Sequence, residues 1–584
     1  MAFPTRLCRF PVLCSVLCLT SCGPDNSGIS FPEEWVYAAD EVPVLSDNGM
    51  VVSTDEYASA VGAQILEAGG SAVDAAIATS FALAVVNPEA GNIGGGGFMV
   101  VRLADGTTAS LDYRERAPRG AARDMYLDEA GELTAASTLG HLAVGVPGTV
   151  AGLWEAHQRF GSLEWWELVA PALELAEGFE VRERQARPLR MAGNNLRIFP
   201  STEAAFLPGG ESPEVGQIFR QPELASTLGR IARNGRDGFY LGLTADLIVA
   251  EMERGGGILT HQDLAEMEAV WRAPVEVQYR GHTIISMPPT SSGGATLAAM
   301  AKILEGFDLR SLGYHSVEHV HLLAEAWKRA YADRNTYLAD PDFVNLPLDR
   351  MISQEYGAQR RRGIALDKAT PSLEVGPGLG AADHGETTHL SVVDAAGNAV
   401  SITTTINSFF GSKVTVGLAG FILNNEMDDF SGRPGFPNQY GLVQGEANAI
   451  APGKRMLSAM TPTIVVDPNG DLLMVLGSPG GATIITNVFQ QISNVIDFGM
   501  SVRQSLNAPR LHHQHLPDRI QFEPGFLSLE VVSALEAMGH EMEERFRADD
   551  VYPYIGDVQA IMRLRDGTLA GASDHRRGGA AVGY

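Results

Sequence analysis

Cysteine is missing from almost the whole chain. The four present are Cys8, Cys14, Cys18 and Cys22, and none follows. A mature protein beginning at Cys22 therefore has no internal disulfide and no thiol chemistry, and packing alone must hold it together. Runs rich in lysine or arginine are missing too. Basic residues number 43 against 70 acidic ones, a formal net charge of −27. That balance excludes nucleic acid as the expected partner and bears on solubility rather than fold. No apolar run has membrane-spanning length: Phe10 to Leu19 is too short, and the apolar stretch Ala72 to Val86 contains Asp74. Neither an internal repeat nor a low-complexity segment is found. What remains, 45% hydrophobic and 19% charged over 584 residues, is a globular composition. The length exceeds one ordinary domain core, so two closely packed parts or one large α/β unit are expected.

The N-terminus carries an address. Arg6 and Arg9 precede the apolar run, the pattern of a secretory signal. Leu19-Thr20-Ser21-Cys22-Gly23 resembles a bacterial lipobox, in which Cys22 is diacylated and becomes the new terminus. Residues 1–21 are read as a lipoprotein signal peptide and 22–41 as a lipid-anchored polar tether. The expected location is the membrane, facing the periplasm or the cell exterior. An ordinary signal cleaved nearby is the alternative.

Ser53-Thr54-Asp55-Glu56 reads as a capping box opening a helix. Tyr57, Val61 and Ile65 recur every four residues, and Gly69-Gly70 closes it. A second, wholly apolar helix is expected from Ala72 to Val86, stopped by Pro88. "GNIGGGGFMVV" follows from Gly91. It lacks the Lys-Ser/Thr of a phosphate-binding P-loop and reads as close backbone packing. Residues 150–380 read as helices, such as Ser316 to Ala332, with short strands such as Val275 to Ser286. Strands dominate after Thr387, in hairpins turning at Asp394 to Asn398 and at Asp467-Pro-Asn-Gly470.

The first hairpin follows "HGETTHLSVVDAAGNAV". A turn at Asp394 to Asn398 pairs Val393 with Ala399 and, by the same register, Thr387 with Thr405. Opposed residues have Cβ atoms about 4.5–5.5 Å apart, which would set two hydroxyls side by side. Strand propensity alone also accounts for threonines here. A threonine becomes a good nucleophile as a chain terminus, where its α-amine, pKa about 7.7–8, serves as base. Freeing it requires cleavage of Glu386-Thr387.

Seven motifs occur in order: "GNIGGGGFMV", "LDYRERAP", "TTHLSVVDAAGNAVS", "LNNEMDDF", "GSPGG", "NAPRLHHQ" and "GASDHRRGGAAVGY". From about Val42 to Tyr584 the chain resembles γ-glutamyltransferase (γ-glutamyltranspeptidase), a self-processing N-terminal nucleophile hydrolase. The resemblance implies an α/β (α+β) fold, a four-layer αββα sandwich shared by two autoprocessed subunits: a large one, 42–386, and a small catalytic one, 387–584. It implies that Thr387 first cuts after Glu386 and then attacks a γ-glutamyl amide. The acyl group passes to water or to an amino acid or peptide acceptor. Glutathione and other γ-glutamyl compounds are the implied substrates, with no cofactor and no metal.

Residue by residue, the resemblance assigns Arg114 to the substrate α-carboxylate, which a guanidinium binds in bidentate fashion; Arg116 is the neighbouring alternative. Asn407, Glu426 and Asp429 match the residues on the α-amine. A Ca²⁺ or Mg²⁺ site is the alternative for the two carboxylates, although calcium-loop spacing is lacking. Gly480 and Gly481 would offer backbone N–H groups to an oxyanion, and Thr405 would hydrogen-bond the nucleophile. Tyr440, in a Gly/Pro-rich stretch, matches the aromatic residue of a lid. Ser458 matches the first of two serines contacting the α-carboxylate, and Ala459 replaces the second. The histidines His512, His513 and His515 lack zinc spacing. Two further functions compete: a cephalosporin or glutaryl-amide acylase on the same fold, and a non-catalytic lipid-anchored binding protein.

Overall fold

The computed structural model describes residues 29–376, 386–436, 439, 445–545 and 554–584. Cys22 and the signal segment, and Tyr440 of the lid stretch, lie outside the described residues.

Two seven-stranded antiparallel sheets form the centre. One runs, edge to edge, through Val44–Ser46, Leu569–Ser573, Gln559–Arg563, Leu472–Gly477, Thr463–Val466, His282–Ser286 and Val275–Tyr279. The other runs through Ala580–Gly583, Met50–Ser53, Glu386–Val393, Ala399–Asn407, Gly96–Arg102, Thr108–Asp112 and Val270–Arg272. Period-two alternation sorts their side chains. Met50, Val52, Phe98 and Val100 face the other sheet and meet Ile285, Ile464, Val475 and Ile561 there. Val51, Met99 and Val101, one residue out of step, face the helices instead. Both faces of each sheet are thus covered, which makes four layers, αββα.

The outer layers follow from helix periodicity. Ala72–Val86 is buried along its whole length, as an all-round apolar helix must be. Its N-terminus is a true capping box, Ser71 with Asp74. The preceding helix, Glu56–Glu67, differs from expectation: its N-cap is Asp55, whose carboxylate accepts from Tyr57 N–H at 2.9 Å. Ser53 is the last residue of a strand, and its hydroxyl bonds Ser59 at 2.8 Å. On the far side, Gly293–Leu304 and Thr483–Ile496 pack on the first sheet, and Val317–Tyr337 packs on Gly293–Leu304. Each sheet contains strands from before and from after the Glu386–Thr387 bond, hydrogen-bonded to one another, so either part alone would lack strand partners the other supplies.

Candidate active site

The hairpin Glu386–Val393/Ala399–Asn407 sits in the middle of the second sheet. Asp394 N–H donates to Asn398 C=O at 3.1 Å, and the expected register runs from Val393↔Ala399 to Thr388↔Thr404. Beyond that it shifts: Glu386 pairs with Asn407, so Thr387 faces both Thr405 and Ile406 across a β-bulge. The predicted one-to-one opposition of Thr387 and Thr405 is therefore corrected. A bulge bends its strand and re-aims side chains; here it ends at Asn407, in the left-handed region at φ 69°, which asparagine tolerates. Thr387 and Thr405 nevertheless line one cleft, with Arg114, Glu426, Asp429, Ser458 and Ala459.

The glycine run explains how this hairpin fits. Thr405 pairs with Gly96 and Thr404 with Gly97. A Cβ at Gly95 would overlap the Thr405 carbonyl oxygen, and one at Gly94 that of Ile422. The four glycines allow backbone to lie against backbone beneath the site.

Arg114 follows the strand Thr108–Asp112 and is wholly buried. Its two terminal nitrogens pair separately with Glu426 and Asp429. Its Nε donates to Met456 C=O at 3.2 Å and Nη2 to Leu457 C=O at 3.3 Å. The two carboxylates converge because Glu426–Asp429 is a 3₁₀ turn, in which residues three apart eclipse on one face. The cleft is collapsed, with no water-sized space between its walls. Arg116 points elsewhere, its Nη1 donating to Glu266 C=O at 3.5 Å.

Burial governs the charges. It raises the Glu426 carboxyl to about 7, against the opposing pull of Arg114. Glu115, also fully buried, is held well above the carboxylate range by burial and then by Glu426. Its Oε2 lies 3.6 Å from Arg114 Nη1, beyond hydrogen-bonding distance. One guanidinium thus stands among three carboxyl groups, the third of which sequence reasoning missed; the only signal was its place beside Arg114 in "LDYRERAP". His389, two residues past Thr387, is pushed down to about 3 by burial and bonds Thr403 and Ser391. A neutral imidazole held by two hydroxyls is no ready base.

Other expected residues fall around this centre. Asn407 donates its Nδ2 to Asn425 C=O at 2.9 Å, while its buried Oδ1 has no hydrogen-bond partner among the described residues. Thr405 Oγ1 accepts from Asn407 N–H at 2.7 Å. Gly480 and Gly481, at φ 130° and 57°, lead into the helix Thr483–Ile496, whose Ile484 lines the cleft. His512 bonds Thr486 and Gln514, His513 faces Asp518, and His515 faces Ser372 C=O. Their partners differ, and among the described residues no group of three or more His, Cys, Asp or Glu side chains is placed to hold a metal ion.

A threonine opening a central strand of an αββα sandwich, beside a glycine-cradled hairpin, defines the N-terminal nucleophile hydrolase class. The family model for gamma-glutamyltranspeptidase matches residues 58–584, and the chain belongs to that family. It is 46% identical over 538 residues to a glutathione hydrolase proenzyme of Escherichia coli (strain K12), covering 91% of each chain. A glutathione hydrolase proenzyme of Pseudomonas sp. (strain A14) is 44% identical, with 94% of this chain and 96% of the relative covered. Among solved structures, the cephalosporin acylase from Bacillus halodurans aligns with TM-score 0.82 at 29% identity, over 95% of this chain and 99% of that one.

Proposed function

We propose that the chain cuts itself between Glu386 and Thr387, and that the freed Thr387 then moves γ-glutamyl groups from glutathione and related compounds to water or to amino acid and peptide amines. The observation that carries this reading is the cleft shared by Thr387 with Arg114, Glu426 and Asp429. A γ-glutamyl group ends in an α-ammonium and an α-carboxylate. On entering, its carboxylate takes the guanidinium while its ammonium takes the two carboxylates and Asn407 Oδ1, so no buried charge loses its partner. Ser458 adds a hydroxyl to the carboxylate. The Thr387 amine removes the hydroxyl proton as Oγ attacks the γ-carbonyl, then returns it to the leaving amine. The N–H groups of Gly480 and Gly481 face the oxyanion, Thr405 bonds the nucleophile, and Tyr440 closes over the donor.

Residues 42–386 and 387–584 stay together as a heterodimer after the cut, since each sheet draws strands from both. Cys22 carries a lipid anchor, with the enzyme exported and facing the periplasm or cell exterior; the support is the lipobox-like sequence. The tether expected over 22–41 is shortened, because Trp35 is buried in the core and donates to Asn507 C=O at 2.7 Å, while Asn507 in turn bonds Ala38 and Glu41. Intact-mass analysis of the protein beside Thr387→Ala tests the central claim. Two chains, the smaller beginning at Thr387, are expected, with one uncut chain in the variant. A single uncut wild-type chain that still turns over γ-glutamyl amides overturns it.

Ala459 and the likeness to a cephalosporin acylase favour a second reading, glutaryl-amide hydrolysis. A glutaryl group lacks the ammonium and leaves Glu426 and Asp429 without their new partner, so turnover of γ-glutamyl over glutaryl anilides separates the two.

A further inference from the structure

Thr387 also lines a second cleft, which shares no other residue with the first. Its walls are polar and mostly engaged with one another. Arg184 pairs with Glu89 at 2.6 Å and donates to Thr54 C=O at 2.9 Å. Thr54 Oγ1 bonds Thr388 Oγ1 at 2.8 Å and donates to Asn87 Oδ1 at 3.2 Å, which fixes the orientation of the Asn87 amide. Asn87 and Asp557 keep open polar atoms, with Arg577 beside them in the same lining. Asn87 Nδ2, and both carboxyl oxygens of Asp557, are buried with no hydrogen-bond partner among the described residues. Asn87 and Asp557 are each 1% exposed. The space open to the centre of a water molecule is about 20 Å³, and roughly 10–15 Å³ with two or more polar partners suffices to hold one water. A buried donor and a buried carboxyl without partners are unfavourable, and a water in this space can bridge the two.

We propose that Asn87 and Asp557 bind the water that completes cleavage of the chain. The inference rests on the self-cleavage reading above. Attack of Thr387 Oγ on the Glu386 carbonyl and rupture of the C–N bond leave an ester between Glu386 and Thr387 Oγ, with the Thr387 amine free. The water accepts from Asn87 Nδ2 through one lone pair and donates one hydrogen to the Asp557 carboxyl. Its other lone pair attacks the Glu386 carbonyl carbon. The C–Oγ bond breaks, one water hydrogen ends on Thr387 Oγ, and the water oxygen becomes part of the Glu386 carboxyl group, which loses the second hydrogen as a proton. Burial, and then the neighbouring Asp574, hold the Asp557 carboxyl well above the usual range, against the pull of Arg577 and Arg184 in the same lining. Asp557 is fixed by its own N–H, which donates to Ser478 Oγ at 3.2 Å.

The test follows cleavage of freshly purified full-length Asp557→Ala and Asn87→Ala, each of which removes one of the two polar groups, by intact mass over time, with and without hydroxylamine. Cleavage about tenfold or more slower than wild type is expected, with an ester that accumulates and that hydroxylamine cuts, leaving a hydroxamate on Glu386. Cleavage of both variants at the wild-type rate overturns the proposal. So does slow cleavage that hydroxylamine cannot hasten, because the defect then precedes the ester. If Asp557→Ala fails to fold by thermal melting, Asn87→Ala carries the same test. Thr387→Ala stays whole under either condition; its cutting would remove the self-cleavage reading itself, a result distinct from the other two.

Discussion

Replacing Arg114 by lysine keeps the charge and removes the fork. The guanidinium reaches four acceptors at once: the carboxylates of Glu426 and Asp429 through separate nitrogens, and the carbonyls of Met456 and Leu457. Lysine offers three donors on one atom, and that atom cannot satisfy two carboxylates while presenting a planar pair of N–H groups to an incoming carboxylate. At least one charge-assisted hydrogen bond to the substrate is lost, about 1.5–3 kcal/mol, or about 10- to 150-fold in affinity. The lost contact lies at the amino-acid end of the donor and not at the reacting carbonyl, so it is made in ground and transition states alike. The loss therefore falls on KM, with kcat changed little. Initial rates with a γ-glutamyl anilide over a range of donor concentrations, on fully self-cleaved Arg114→Lys, measure both. An unchanged KM, or a kcat that falls alone, refutes the assignment of Arg114 to the α-carboxylate.

Ala459→Ser restores a hydroxyl to the cleft wall and lowers KM for γ-glutamyl donors by about tenfold, read in the same assay. Glu426, raised to about 7 by burial, must be ionised to pair with the α-ammonium. kcat/KM therefore rises with pH through about 7, lying about tenfold below its plateau one unit lower; Glu426→Gln removes that limb and leaves the later one of the Thr387 amine. Gly95→Ala drives a methyl group into the Thr405 carbonyl, lowering stability by about 1–3 kcal/mol and slowing self-cleavage, followed by thermal melting and by the rate at which two chains appear.

Local patterns were legible in the sequence because local physics makes them. The wholly apolar Ala72–Val86 helix, the Asp394–Asn398 turn and the pairing up to Thr388↔Thr404 follow from side-chain periodicity and turn chemistry within a few residues. The seven motifs gave the residue types of the cleft in order along the chain. The helix start at Asp55 was misplaced by two residues, because Ser53 is drawn into a strand that pairs with Leu390 and Val392, more than 300 residues away. The bulge at Thr387 was equally hidden, since an extra residue on the partner strand is decided by what lies behind it: here Gly94 and Gly95, pressed against Ile422 and Thr405. Glu115, Asn87 and Asp557 carry no pattern of their own. Only the packing of distant segments removes their solvent, and only then does a carboxyl group shift its proton affinity or an amide lose its partner. By itself the sequence determined which elements form and which chemical groups are available. The tertiary structure decided which of those groups share a buried, water-poor space around Thr387, where their charges act strongly on one another.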